Sequence, residues 1–249
     1  MNPRFFVPGT YGSSDQIALP DDEAQHLTRV LRLGSGDAVR VFDGRGHEFD
    51  AIVASATKSA VRLQVGQSRQ AATEPRVAMT VAHAVLKGDK MDDVVRDAVM
   101  IGAVAIQPIV TDRTEVTLSA LERGRRRGRW SRVAVSSAKQ CGRAVVPPVS
   151  DPISFDALVD ALHQLSLPQP ALMLVEPSAE SGVRALADLE PTPPREATIV
   201  IGPEGGWTSK EVEQASSACR LLTLGGRTVR ADAMAIVAMA ALFAKWGEF

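Results

Sequence analysis

The sequence predicts an α/β protein preceded by a small β-rich domain, and three observations carry that prediction. Short alternating strand patterns separated by tight turns fill the first 70 residues, as in compact barrels. From Val77 onward, apolar strand runs alternate with helix-period segments, the pattern of a parallel sheet with helices packed on it. Near the C-terminus, two glycine-rich loops each follow a strand pattern and precede a helix pattern. Placed side by side at the carboxyl edge of a parallel sheet, such loops bind small molecules through backbone groups.

In the N-terminal part, Asp21-Asp22-Glu23 opens a short helix carrying His26, Leu27, Val30 and Leu31 on one face. Ala38 to Phe42 alternates and runs into Asp43-Gly44-Arg45-Gly46, a hairpin signal, with Glu48 to Ala54 as the return strand. Ala60 to Val65 alternates again. Gln67 to Glu74 is polar and aperiodic, which makes it the linker and divides the chain into domains at 1–70 and 74–249.

Beyond the linker, Val77 to Ala82 is a buried-strand run and Lys90 to Ile101 a helix with Met91, Val94, Val95, Ala98 and Val99 on its apolar face. Val104 to Val110 is the next strand, Trp130 to Gln140 the next helix, Phe155 to Leu165 a helix, and Ala171 to Val175 a strand. Gly182 to Leu186 reads as a short helical segment. The strand Ala197 to Val200 enters the first glycine loop, Ile201-Gly202-Pro203-Glu204-Gly205-Gly206-Trp207. Thr208 and Glu211 then form a capping-box pattern. Leu221-Leu222-Thr223 enters the second loop, Leu224-Gly225-Gly226-Arg227, which leads through Arg230 into an alanine-rich helix.

The formal net charge is −1, but the charge is unevenly spread: residues 72–149 hold 13 Lys/Arg against 8 Asp/Glu, and residues 150–249 hold 7 against 13. A basic middle third suits an anionic partner. The only cysteines are Cys141 and Cys219, and neither lies in a metal-like Cys/His spacing, so no metal is expected. The start, Met1 to Gly9, lacks the apolar core of a signal peptide, and the longest apolar stretch, Met234 to Ala244, is too short to span a bilayer. A cytoplasmic protein without membrane contact is expected.

Standard nucleotide motifs are missing. No Gly-x-x-x-x-Gly-Lys-Ser/Thr occurs, and no Gly-x-Gly-x-x-Gly follows the first strand of the α/β part. In the first loop, Gly205 and Gly206 allow positive φ and close approach of a ligand to the main chain. Arg227 and Arg230 flank the second loop, where a guanidinium holds an anion or stabilises charge developing on a base oxygen; for Arg230 the competing arrangement is an ion pair with Asp232. Arg123 to Arg132 is the densest basic run, with Trp130 inside it either to stack on a base or to pack in the core. His26 is expected to be structural, and Cys141 has no adjacent histidine to activate it.

Taken together, Ile201 to Trp207 and Leu224-Gly225-Gly226-Arg227-Thr228-Val229-Arg230 resemble the C-terminal signature of the SPOUT-class RNA methyltransferases. Within that class the chain is similar to the 16S rRNA (uracil-N3)-methyltransferase family through His26 to Arg32, Phe42-Asp43-Gly44, Lys87 to Met91 and Gln140-Cys141-Gly142-Arg143. The resemblance implies a PUA-like N-terminal β-barrel that helps hold RNA. It further implies a SPOUT domain whose parallel sheet, with helices on both faces, is tied in a trefoil knot, an exception to the rule against threaded chains. It also implies a homodimer, S-adenosylmethionine as cofactor, and one uridine of 16S rRNA, in the small ribosomal subunit or its precursor, as substrate.

Carried over by position, the resemblance places cofactor contacts at Leu174, Glu176, Ile201, Gly202, Pro203, Glu204, Gly205, Gly206, Leu222, Leu224, Gly225, Arg227 and Val229. RNA contacts are expected at Arg29, Arg32, Lys87, Lys90, Arg125, Arg126, Arg127, Gln140 and Arg143, and Arg230 is the candidate for stabilising a uracil anion. Glu204 and Asp232 are the possible general bases. The second loop departs from the family's Leu-Gly-Pro-Arg-Ile-Leu-Arg-Thr-Glu-Thr-Ala: Gly226 replaces the proline, Ala231 and Ala233 the threonines, and Asp232 the glutamate. These departures leave open whether Asp232 supplies the missing helix cap. Two alternatives also stand, a methyltransferase acting on a tRNA ribose 2′-OH and a non-catalytic RNA-binding assembly factor.

Overall fold

A computed structural model describes residues 2–57, 60–124, 126–164, 170–177 and 183–249. The chain divides into two compact units, Met1–Glu74 with Val135–Val146, and Pro75–Ala134 with Pro147–Phe249.

The first unit contains β1 (Arg4–Phe6), β2 (Gln16–Ala18), α1 (Asp21–Gln25), β3 (Ala38–Phe42), β4 (Glu48–Ala56) and β5 (Val61–Arg69). They form a five-stranded sheet in the order β1-β3-β4-β5-β2, with β1 parallel to β3 and the other pairs antiparallel. Alternation puts Val39, Val41, Val53, Val61, Leu63 and Val65 into one core with Phe5 and Leu27. The expected hairpin is present. Gly44 and Gly46 take φ of +80° and +110°, and the Asp43 carboxylate accepts from the backbone N–H of Arg45 and His47. β5 runs on to Arg69, because its ladder with β4 continues to Glu48 opposite Arg69; the polar linker is correspondingly shorter than its sequence suggests.

The predicted helix face around His26 is only partly realised. After α1 the backbone widens into a π-type turn over His26–Val30, which shifts the side-chain register. Leu27 is fully buried, whereas Val30 and Leu31 are exposed, and His26 lies exposed with its ring edge-on to Phe5.

The second unit contains β6 (Ala78–Ala84), α2 (Lys90–Ile101), β7 (Ala105–Val110), α3 (Leu118–Arg123), the first half of α4 (Arg126–Cys141), β8 (Ile153–Ser154) and α5 (Phe155–His163). β9 (Ala171–Leu174), β10 (Arg184–Ala185), β11 (Glu196–Ile201), α6 (Ser209–Ala215), β12 (Arg220–Thr223) and α7 (Ala231–Lys245) complete it. Seven strands make a sheet in the order β10-β12-β9-β11-β6-β7-β8, parallel at every pairing. Its central strands are buried on both faces, which is why they read as continuous apolar runs. On one face, Ala82, Ala84, Met173 and Val200 pack with Phe155, Leu158 and Val159 of α5 and Val212 and Ala215 of α6. On the other, α7 packs on β11 and on the apolar face of α2. α2 ends where Gly102 turns left-handed at φ +112°, with no room for a Cβ beside the Pro75 ring.

The strand order is interleaved. β9 and β10 are consecutive in the chain, yet β12 lies between them. Hydrophobic periodicity carries no trace of this order. The helical segment expected at Gly182 to Leu186 is corrected: Gly182 lies outside the described residues, and Arg184–Ala185 pairs with Leu222 and Thr223 as a short strand. A 3-10 turn follows at Leu186–Asp188. Backbone pairing at the sheet edge decides the conformation there. Trp130 is 2% exposed, so it packs in the core and is not available to stack on a base.

Candidate functional site

Three parallel strands bring the two glycine loops together. Leu174 at the end of β9 stands in register with Ile201 on one side and Leu222 on the other. The segments leaving these strands enclose a cavity of about 380 Å³. Its wall includes Leu174, Glu176, Ile201, Gly202, Pro203, Glu204, Gly206, Leu224, Arg227, Val229 and Arg230, all anticipated from sequence. Lys90, Trp207, Thr223, Thr228, Ala231, Asp232 and Met234 also line it. The position follows from topology, since the carboxyl ends of parallel strands are where such sheets open to ligands.

The first loop is braced on both sides. Trp207 donates its indole N–H to the Leu174 carbonyl at 2.8 Å, and its ring packs on Phe155 at 5.1 Å between centroids. The indole lies over Gly202, where a Cβ would come within 2.9 Å of the ring, so this position has to be glycine. Gly206 takes φ +69° and closes a turn by donating to the Pro203 carbonyl at 3.0 Å. The expected capping box then starts α6: Glu211 N–H donates to Thr208 Oγ1, and Thr208 N–H donates back to Glu211. Glu211 also accepts from the Asp112 N–H at 2.9 Å.

Three anticipated cofactor residues do not line the wall. Gly205 faces Arg113, which donates from Nη1 to its carbonyl at 2.7 Å. Leu222 is fully buried beneath the loop, and Gly225, at φ +123°, turns its carbonyl toward Thr223 Oγ1.

Three carboxylates, Glu176, Glu204 and Asp232, and three cations, Lys90, Arg227 and Arg230, line the cavity. Lys90 Nζ donates to Glu204 Oε1 at 2.9 Å, and the Lys87 backbone N–H approaches the same oxygen at 3.4 Å. Burial alone would raise the Glu204 carboxyl, but the Lys90 hydrogen bond and nearby backbone donors more than offset it and hold its pKa below the usual carboxylate range. Arg230 grips Asp232 in two parallel bonds, Nε to Oδ1 at 3.0 Å and Nη2 to Oδ2 at 2.9 Å. That hydrogen bonding lowers the Asp232 pKa. The α7 N-terminus is therefore not capped by Asp232 in the usual way; the carboxylate is spent on Arg230. The Arg230 side chain is 74% exposed and that of Asp232 24%.

Beneath this pair lies His83, fully buried on β6 and not anticipated from sequence. Its Nδ1 lies 2.7 Å from the Ala84 carbonyl and its Nε2 3.1 Å from the Ala231 carbonyl. Burial pulls its pKa down. The sequence signal was a titratable residue inside the apolar stretch from Val77 to Leu86, which is otherwise interrupted by Thr80.

The expected RNA contacts divide between the units. In the second, Lys90 reaches the cavity wall, and Lys87 is exposed and paired with Glu115. Arg127 pairs with Asp151, Arg126 is half-buried, and Arg125 lies outside the described residues. Arg129 is also neutralised, by Asp89 and Asp92, so the basic run presents less free charge than its composition suggests. In the first unit, Arg29, Arg32 and Gln140 are exposed. Arg143 is corrected: it is 4% exposed, and its guanidinium pairs with Glu74, so it is structural. Burial pushes the Cys219 thiol up to about 12, far from nucleophilic character. Among the described residues no group of His, Cys, Asp or Glu is arranged to hold a metal ion, and no helix is long and apolar enough to cross a membrane.

Comparison with known proteins places both units. Residues 73–243 match the family model of the RNA methyltransferase domain, and residues 19–66 match that of the RNA methyltransferase PUA domain. A Synechocystis protein named ribosomal RNA small subunit methyltransferase E is 30% identical over 90% of this chain and 71% of its own length. A solved structure of the Neisseria gonorrhoeae protein of that name, bound to S-adenosyl methionine, superposes with a TM-score of 0.87 at 28% identity, covering 99% of this chain and 98% of the other. A Legionella pneumophila methyltransferase structure with bound cofactor SAM gives 0.88 at 25% identity, covering 98% of each chain.

Proposed function

Because this chain belongs to the ribosomal RNA small subunit methyltransferase E family, we propose that it methylates N3 of a specific uridine in the decoding region of 16S rRNA. The methyl donor is S-adenosylmethionine, in keeping with the bound cofactor of its structural relatives. The observation that carries the assignment is the convergence of both glycine loops and the Arg230–Asp232 pair on one cavity.

The residues present fit the donor. A volume of about 380 Å³ falls within the range of small-molecule pockets. Leu174, Ile201, Leu224, Val229 and Met234 would hold the adenosine part, and Gly202 and Gly206 line the cavity without side chains, which lets a ligand approach the main chain there. Glu176, Glu204 and Asp232 supply negative charge suited to a cationic sulfur. The bound donor supplies a methyl carbon already activated by that sulfur, so the protein has two tasks. It must orient N3 for in-line attack and manage the N3 proton. Arg230, on the cavity wall and largely exposed, stabilises charge developing on a uracil oxygen. No cysteine nucleophile is required for attack by nitrogen.

RNA is held by Lys87 and Lys90 beside the cavity and by Arg29 and Arg32 on the PUA-like unit, within the small subunit or its precursor in the cytoplasm. The protein acts as a homodimer. In support, α7 is apolar on its open side as well as its packed one, with Val237 40% exposed and Met100 of α2 38% exposed. Mass spectrometry of 16S rRNA from a strain lacking the protein tests the substrate: N3-methyluridine is expected to vanish and to return on complementation. Its persistence would sink the assignment. Calorimetric titration with S-adenosylmethionine separates an enzyme from an assembly factor, since the latter shows no heat of binding.

A further inference from the structure

Three carboxylates line the cavity, and their partners set them apart. Glu204 is tied by two donors that follow β6, the Lys90 ammonium and the Lys87 backbone N–H, and holds the glycine loop in place. Glu176 is exposed and lies against Gly206. Both carboxylate oxygens of Asp232 accept from one side chain, Arg230, and that side chain is 74% exposed. A guanidinium fork of this kind is equally suited to the oxygen edge of a planar anion. An incoming base that draws Arg230 away leaves Asp232 unpaired at the cavity wall.

The backbone between the two residues is held through such an exchange. The Ala231 carbonyl faces Nε2 of the buried His83 at 3.1 Å, and α7 starts at that residue. The exchange therefore needs side-chain rotation of Arg230 only.

The geometry points to Asp232 as the catalytic proton acceptor, held in reserve by Arg230 until the uracil takes Arg230 onto its ring oxygen. This rests on the N3-uridine assignment above. In the step, the N3–H bond breaks and its proton passes to an Asp232 carboxylate oxygen. The N3 electron pair forms the bond to the methyl carbon as the carbon–sulfur bond breaks. That bond's electrons stay on sulfur, which becomes a neutral thioether, and the Asp232 proton is then lost to solvent.

The test uses the full-length protein, unmethylated small ribosomal subunits and the variants Asp232→Asn and Asp232→Glu. Single-turnover methyl transfer is followed across pH, and S-adenosylmethionine affinity is measured by calorimetry. Asp232→Asn is expected to bind the cofactor within about threefold of wild type while transferring methyl roughly 10²- to 10⁴-fold more slowly. Its residual rate should climb with pH as the uracil ionises unaided, and Asp232→Glu should restore most of the loss. Transfer by Asp232→Asn within about tenfold of wild type, or a rate loss matched by lost cofactor affinity, overturns the role. Failure of Asp232→Glu to recover any rate does the same. The wild-type product is analysed separately: a methyl group found elsewhere than N3 defeats the substrate assignment whatever the variants do.

Discussion

Gly202 and Arg230 show how differently single residues carry the site. Gly202 is required by space, because a side chain there meets the Trp207 ring at 2.9 Å, and that ring is pinned by Leu174 and Phe155. Gly202→Ala is expected to destabilise the protein by about 1–3 kcal/mol through overpacking. Calorimetry should show weakened cofactor binding, and thermal unfolding a lower Tm. Arg230→Ala is expected to keep cofactor affinity and lose about 100-fold in turnover, as for removal of a charge-stabilising donor. Unchanged turnover would remove Arg230 from the mechanism. Both residues were recognisable in the sequence as parts of glycine-loop motifs. His83 was not, because burial and partners 148 residues apart create its significance. Arg143 misled for the same reason, since a basic residue in a polar-looking motif gives no hint of its buried pairing with Glu74.

At the scale of elements, the C-terminus of α4 belongs to the PUA-like unit because of Arg4. Its guanidinium donates to the carbonyls of Ala138, Lys139, Gly142 and Arg143 at and just beyond the helix end, and Nε and Nη2 also reach Glu48. With side chains 8% and 5% exposed, the Arg4–Glu48 pair is buried. Arg4→Ala is expected to cost about 3–5 kcal/mol by removing the two-bond partner of buried Glu48 and leaving it only the longer Arg40 contact at 3.9 Å, and Arg4→Met with Glu48→Gln should recover part of it in denaturant unfolding. The hairpin turn gives a pH prediction. Burial would raise the Asp43 carboxyl, but hydrogen bonds from the His47 ring and from the backbone of Arg45 and His47 hold its pKa below the usual value. A lowered folded pKa means that stabilisation is complete above the unfolded value, about 3.9, and is lost as pH falls through the folded one. Tm should therefore fall more steeply below about pH 4 in wild type than in Asp43→Asn. Equal slopes would show that Asp43 contributes nothing.

For the whole molecule, the open apolar side of α7 sets the expectation for assembly. If the proposed dimer forms through α7, Val237→Glu, at a position 40% exposed, should leave the fold intact and convert a dimer into a monomer in sedimentation velocity. An unchanged dimer would place the interface elsewhere. The amino-acid sequence by itself determined the alternation of strands and helices, the hairpin at Asp43 to Gly46, the α2 face and the two glycine loops. Each depends on local periodicity, turn chemistry or capping within a few residues. Only the tertiary structure decided the interleaving of β12 between β9 and β10, the inclusion of Val135–Val146 in the first unit, and the grouping of Lys90, Glu204, Arg230 and Asp232 around one cavity over buried His83. Those arrangements arise from parallel register and from buried polar groups finding partners far away in the chain, and neither leaves a periodic mark on the sequence.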